Sequence, residues 1–374
     1  MSKNLASKYS KKVSERFTRV SQAAMATNNE YEFTGVKTVN VYSIPTVPMT
    51  DYTRAGNNRY GEANDLTRNI QTMTINRDRA FTFIIDKGDK LQSEMVMDAG
   101  KALARQQDEV WVPEYDSYVF RTLAYAATSR GNFGSTAATK SNAYELFLNG
   151  MEHMSNRNVP DTGRVAFCSY RYVNLLKQDP AFTKTGDVSQ EMLKKGVVGE
   201  VDGCKIVRVP SSRLPAGCAF ILTHPSIACA PKQLEEYKIH DNPPGISGWL
   251  CEGRVIYDCF VLDEKADALY YLGKQEVLKY IDVLTAVSAT SDAQTVVLIN
   301  TSADTGHTFK YKVYASAEAA NADAVEHGKD LSAWTDIQSG AAVTPGSGMA
   351  TIVVAEVDAD GKAVGAGMAK INMA

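Results

Sequence analysis

Two histidines, His224 and His240, share a segment with Cys218 and Cys229. A thiol beside an imidazole could act as nucleophile and base, or form half of a metal site. Their spacings match no zinc pattern, and none of the six cysteines, at 168, 204, 218, 229, 251 and 259, forms a C-x-x-C pair. Most lie among Val, Ile, Ala and Phe, where a thiol serves as a small buried hydrophobe. The chain has no P-loop, no H-E-x-x-H and no G-x-S-x-G, and GISG at 245–248 has the wrong spacing for a nucleophile elbow. Acids such as Asp202, Glu235 and Glu236 are scattered, with nothing marking a pair for acid/base work. No catalytic residue, metal ligand or cofactor is therefore expected. A chain of 374 residues without a reaction constellation reads as a building block.

The elements around these residues are more informative. Residues 91–128 read as a long helical spine, with Leu91, Met95, Ala99, Ala102 and Leu103 at spacings of three and four. Tyr115, Tyr118, Val119, Thr122 and Ala126 answer them on one face after a break. Pro113 predicts a kink or a fresh start there, and Gly100 is a second weak point. Before the spine the period changes to two: Val39 and Val41, Met73 and Ile75, then Phe81, Phe83 and Ile85 alternate with polar neighbours. These extended runs, joined by a polar segment with turn residues, predict a long hairpin over 33–85 that cannot bury itself. A neighbouring subunit is its natural partner, because exposed edges otherwise aggregate. The tip would carry Arg54, Asn57, Asn58 and Arg59. Further upstream, Leu5, Tyr9, Val13, Phe17 and Val20 recur at helical spacing among basic residues, which suggests a docking or assembly arm over 1–32 in preference to a membrane-surface helix.

With 44% hydrophobic and 22% charged residues the chain belongs with folded proteins, not disordered tails. There is no basic-then-apolar leader and no apolar run of 18, so neither secretion nor membrane insertion is expected. The net charge of -3 conceals a gradient. Residues 1–30 carry six basic residues against Glu15 and Glu30, whereas residues 282–374 carry eleven acids against five lysines. That last segment changes texture as well. QTVVLI, TFKYKVY, MATIVVAEV and AVGAGMAKI alternate with Ser/Asp/Gly-rich turns, which predicts a small all-β sandwich joined near 275–285.

Several pieces, in their order, resemble the major capsid proteins of tailed bacteriophages with the HK97 fold, over roughly residues 30–275. They are the arm, the long hairpin, EVWVPEYDSYVFRTLAYAA with Asp116, Tyr118 and Arg121, then VVGEVDGCKIVRVPSSRLPAG, and HPSIACAPKQLEEYKIHDNPPG followed by GRVIYDCFVLDEKADALYYL with Asp258 and Val261. The resemblance implies an α+β capsid fold. Residues 33–85 would be its E-loop hairpin, 86–140 the peripheral domain with the spine helix, 141–249 the axial domain, and 250–275 the strands returning to the peripheral domain. The tail, 282–374, resembles the immunoglobulin-like domains that some phages append. Tyr115, Tyr118 and Arg121 would be the spine residues, and the hairpin tip and the arm residues Tyr9, Val13 and Phe17 would make assembly contacts. The implied function is a coat protein that forms pentamers and hexamers of itself and encloses double-stranded DNA through weak non-specific contact. A separate scaffolding protein and a portal protein would be its partners, with no membrane. An encapsulin-type shell is the alternative within the fold, and a cysteine-dependent enzyme the alternative outside it. Some relatives weld subunits through a hairpin lysine; no lysine lies between Lys37 and Lys87, so no such crosslink is expected.

Overall fold

The computed structural model describes residues 21–28, 30, 31, 37–44, 46–55, 57, 59–61, 65, 69–88, 99–184, 200–288, 291 and 293–373. The expected arm residues Tyr9, Val13 and Phe17, the tip residue Asn58, and the spine positions Leu91 and Met95 lie outside these.

A two-stranded antiparallel hairpin pairs β1 (Thr38–Ser43) with β2 (Asn69–Thr74), in register from Thr38↔Thr74 to Ser43↔Asn69. The next strand, β3 (Arg77–Asp86), departs from the expected hairpin. It pairs along its whole length with β11 (Gly248–Tyr257), whose other side carries β10 (Lys232–Asp241). The ladder breaks at Ile75 and Asn76, so Phe81, Phe83 and Ile85 alternate for a different sheet. Ile85 packs on Cys251 and Ala99.

The spine is continuous where Pro113 predicted a kink or restart. A helix (Ala99–Gln106) passes through a π-helical turn (Gln107–Trp111) into the spine helix (Val112–Thr128), with Pro113 in its first turn. Proline has no N–H to give the preceding turn, and a wider turn just before it absorbs that loss. The core face is also rotated from the expected one. Tyr115, Asp116, Val119, Phe120, Leu123, Ala124 and Ala127 are buried, while Tyr118, Thr122 and Ala126 are only half-buried. Apolar spacing alone could not separate these faces, because the second one has its own partner.

The second body is a six-stranded sheet in the order β4 (Phe133–Gly134), β13 (Tyr270–Gly273), β8 (Cys218–Thr223), β5 (Val165–Ser169), β7 (Cys204–Val209), β6 (Glu200–Val201). Strand β5 is buried throughout because both faces are covered. Val165 and Phe167 join the spine helix in one core cluster, while Ala166 and Cys168 join helices Ala143–Asn156 and Tyr170–Gln178 in another. The turn from β6 to β7 is Asp202-Gly203, with φ of 51° and 72°; this two-residue hairpin loop requires positive φ at both positions.

A short pair, β9 (Ala228–Cys229) with β12 (Phe260–Val261), lies where the chain crosses between the two sheets. Strand β10, expected with the axial segment 141–249, belongs to the sheet of β3 and β11, and β13, expected with the return strands 250–275, completes the six-stranded sheet.

Five residues after β13 the chain enters a two-sheet sandwich. One sheet runs β14 (Lys279–Tyr280), β21 (Ala363–Lys370), β20 (Thr351–Val357), β17 (Thr308–Tyr314), β18 (Thr335–Ile337); the other runs β15 (Val283–Val287), β16 (Thr295–Ile299), β19 (Ala341–Val343). Val283, Val297, Ile299 and Val343 pack against Ile352 and Val354 from the opposite sheet. The sandwich expected over 282–374 thus begins slightly earlier and follows the body without a loose linker.

Candidate assembly site

Among the described residues the most exposed apolar surface lies on the hairpin and its loop. Met49 is 99% exposed, Tyr60 85% and Ile44 78%, with Tyr42, Val47, Tyr52 and Ile70 also more than half open or at the half mark. Soluble surfaces tolerate single exposed apolar residues, but a run along one projecting element marks an interaction surface. The hairpin is held at its base, where Met73 and Ile75 are buried with Leu262 beside Val39, Val41 and Phe260, and at mid-length by Gln71, which donates to Val261 O at 2.8 Å and accepts from Asp263 N at 3.2 Å. The loop is closed locally by Thr53 N–H donating to Arg59 O at 3.0 Å and by the Tyr52 and Tyr60 rings in edge contact at 5.0 Å. Arg54, Asn57 and Arg59 are exposed on this loop.

Hairpin, arm and sandwich all converge on one stretch of the spine helix. Glu114 Oε1 accepts from Arg77 Nη2 and from Arg79 Nε, both at 2.8 Å, which ties β3 to the helix. Two residues on, Asp116 is fully buried and holds the exit of the arm. Its carboxylate accepts from Ser21 Oγ at 2.6 Å, Gln22 N at 3.1 Å, Ala23 N at 3.2 Å and Arg213 Nη1 at 2.7 Å. Gln22 Nε2 then donates to Arg208 O, and Asn28 forms an isolated parallel bridge to Cys229.

Tyr118 donates its hydroxyl to Asp258 Oδ1 at 2.5 Å. Asp258 also accepts from Cys259 N at 2.8 Å and from Asn76 N at 3.0 Å, so it clamps the junction between hairpin and β3. Burial pushes the Asp258 carboxyl above its usual range, against the Tyr118, Asn76 and Cys259 donors, which pull it down. Arg77 fills the space between, donating through Nε to Tyr257 OH at 3.0 Å, with its guanidinium 4.4 Å from the Tyr118 ring centre. Tyr115 lies in the core against Trp111 and Tyr257 at 5.7 and 5.6 Å.

Arg121 faces the sandwich, reaching Leu278 O at 3.4 Å and Ala366 O at 3.5 Å. Tyr118 meets Tyr280 edge-on at 5.4 Å. These contacts are the partner of the half-buried helix face. Sequence reasoning singled out Tyr115, Tyr118 and Arg121, but gave Arg77, Arg213 and Glu114 no role. Its available signal was slight: an arginine directly after the hairpin, on the buried phase of β3.

The histidine and cysteine candidates do not come together as a reactive pair. His224 Nδ1 accepts from Ser226 N at 3.2 Å, which leaves the proton on Nε2, 3.2 Å from Thr162 O, and so the ring caps a short turn. His240 pairs with Glu252 across β10 and β11 on the surface. All six cysteines are buried free thiols, and burial raises every one, Cys204 to about 12. A nucleophilic thiol needs the opposite shift. The folded chain is therefore expected to leave a colorimetric disulfide reagent unconsumed at pH 8, with six equivalents reacting once guanidinium unfolds it; one fast-reacting thiol in the native chain would contradict this. Among the described residues Asp304, His307 and Glu356 place ligand atoms within 4.8 Å of one another. Lys279 Nζ already sits between them, 2.7 Å from Asp304 Oδ1 and 3.2 Å from Glu356 Oε2, and supplies the positive charge.

No protein-family model matches the chain, and no curated protein is similar to it at a significant level. Solved structures are similar in fold. The chain aligns with a structure from Mycobacterium phage Che8 at 19% identity and a TM-score of 0.60, covering 73% of this chain and 98% of that one. It aligns with the capsid structure of Cyanophage P-SCSP1u at 14% identity and 0.56, covering 72% and 93%. It aligns with the mature capsid of bacteriophage PhiM1 at 12% identity and 0.56, covering 72% and 91%.

Proposed function

From the premise that this chain has the HK97-like α+β fold of phage capsid structures, we propose that it is a major capsid protein whose copies assemble through pentamers and hexamers into an icosahedral head around double-stranded DNA. The observation that carries this reading is the hairpin, packed at its base by Met73 and Ile75 and exposing Ile44, Met49 and Tyr60 beyond it, on a fold that accounts for 91–98% of those chains. Identical subunits joined by such heterologous contacts form rings and closed shells when the geometry closes. Each contact can be weak, because every subunit is held by several neighbours at once. A separate scaffolding protein, a portal protein and weakly held DNA complete the proposed partners, and the virion is the proposed location. The acidic sandwich belongs on the outer surface, since residues 282–374 would repel packaged DNA, while the basic segment 1–30 suits the inner side.

The test is electron microscopy of the purified chain, expressed with and without a scaffold. Closed shells, or regular rings and tubes, are expected, and a homogeneous monomer under every condition would refute the reading. Met49→Asp with Ile44→Asp sharpens it. Both residues are exposed, so folding stability should change by no more than about 0.5 kcal/mol per site. Assembly is nevertheless expected to fail, as read by sedimentation; shells of normal yield from the double variant would remove the hairpin from the assembly contact.

A further inference from the structure

A cavity of about 430 Å³ lies between the spine helix, β3 and the sandwich. Its body side carries three guanidiniums, Arg77, Arg79 and Arg121, and one carboxylate, Glu114, which Arg77 and Arg79 already share. Arg77 is 4% exposed, and its Nη1 is buried with no hydrogen-bond partner. The ring of Tyr280 lies 4.6 Å from the Arg77 guanidinium and 5.4 Å from that of Arg121, so the two cations flank one aromatic ring from the sandwich. Among the described residues the hydrogen bonds of Arg121 go to backbone carbonyls, at the long end of hydrogen-bond distance. Burial pushes its pKa down, Tyr280 opposes that, and the nearby charge of Arg77 adds to the fall. A buried and a half-buried cation flank the cavity, and Arg77 keeps one buried donor orphaned beyond its pair with Glu114, an arrangement that a further anion would relieve.

We propose that this cavity is an oxyanion site in which a phosphate or carboxylate group is held by Arg77 Nη1 and the Arg121 guanidinium, cementing the sandwich to the base of the hairpin. The oxyanion comes either from a free anion or from an acidic side chain of a second copy. The opposite wall is apolar, with Val283, Val325, Val353 and Ala366, so the anion's charged end is directed to the arginine side. The cavity stands on the geometry of one chain, so the free-anion form does not depend on the capsid reading, whereas a neighbour's carboxylate rests on it.

Inorganic phosphate is the probe. Thermal unfolding of the unassembled full chain is compared in phosphate and in chloride at matched ionic strength, for the native chain and for Arg121→Gln. Phosphate strengthens burial generally, so the readout is the difference between the two proteins. The native melting point should rise by about 2 °C more than that of Arg121→Gln. Asn321→Asp, a change at an exposed cavity-lining residue that leaves size and shape intact, supplies a carboxylate within the site and should abolish the extra rise. That pattern identifies a free anion. Suppose instead that the unassembled chain shows no specific phosphate response, yet assembled particles of Arg121→Gln come apart at lower urea than native particles. The site is then filled by a neighbour's carboxylate. Equal responses of both proteins, unassembled and assembled, overturn the proposal.

Discussion

Asp116→Ala is expected to destabilise the folded chain by about 3–5 kcal/mol, the range for removing one partner of a buried ion pair. Asp116 is fully buried, and the substitution takes away the carboxylate to which buried Arg213 donates. It also removes the acceptor of Ser21 Oγ and of the Gln22 and Ala23 amides, and each buried amide left unsatisfied costs about 1–3 kcal/mol. These costs overlap, since water reaches Ser21 and Gln22 once the segment lifts away, so the lower range applies to the sum. Asp116→Asn retains one acceptor oxygen and should lose roughly half as much. Urea unfolding measures the loss, and limited proteolysis near residues 21–28 reports whether the segment detaches. A cost below about 1 kcal/mol for the alanine variant would show that the arm's exit is held by Ala23 and Ala26 packing, with Asp116 incidental.

The backbone plan was legible in the sequence because it is written in period. Val39 and Val41 opposite Met73 and Gln71, the buried run at 165–169 and the Asp202-Gly203 turn each follow from local chemistry. What period cannot show is which sheet a strand joins. Arg77–Asp86 alternates in the same way whether it continues the hairpin or crosses to β11, and only the break at Ile75 and Asn76 separates the two outcomes. The rotated face of the spine helix has a similar origin. Tyr118, Thr122 and Ala126 have the spacing of a core face, and they do have a neighbour; it is the sandwich, some 160 residues downstream for Tyr118 and Tyr280. The exposed hairpin was partly readable. A hairpin of that length cannot bury itself, whereas the polar knots beneath it join residues far apart in the chain, such as Ser21 with Asp116 and Asn76 with Asp258. Single charged residues carry no periodic signal, so Arg77 and Arg213 had nothing to distinguish them.

Those knots share one geometric cause. Glu114, Asp116, Tyr118 and Arg121 occupy about two turns of helix, and each points at a different element: β3, the arm, the hairpin junction and the sandwich. A helix rigidly packed through Val119, Phe120 and Leu123 can hold four attachments at fixed angles. Subunits in a shell must present their arms and hairpins in defined directions, and a packed helix fixes direction better than a loop does.

Asp258→Ala is the second large effect expected, again about 3–5 kcal/mol, and it should appear first in the hairpin. Two forces compete at this carboxylate. Burial raises its pKa, so the charged form is disfavoured relative to the neutral acid. That alone would make its removal favourable. Against this stand three donors, Tyr118 OH, Asn76 N and Cys259 N, which alanine would leave without an acceptor at about 1–3 kcal/mol each. The donors win, because the raised pKa compares two states of the acid and says nothing about losing both oxygens. The sign of the pH dependence follows. A folded-state pKa above the unfolded one contributes stability that is fully present below the unfolded value and lost as pH rises through the folded value. Mild acid therefore should not loosen the junction through Asp258. Hydrogen exchange followed by mass spectrometry gives the decisive reading. In Asp258→Ala, protection should fall across residues 38–43 and 69–76 while β5 and β8 keep theirs; in the native chain, protection of the hairpin should hold from pH 7 to about pH 5 after correction for intrinsic exchange. Unchanged hairpin protection in the variant would place the anchor in the apolar cluster of Met73, Ile75 and Leu262 and leave Asp258 as a passenger.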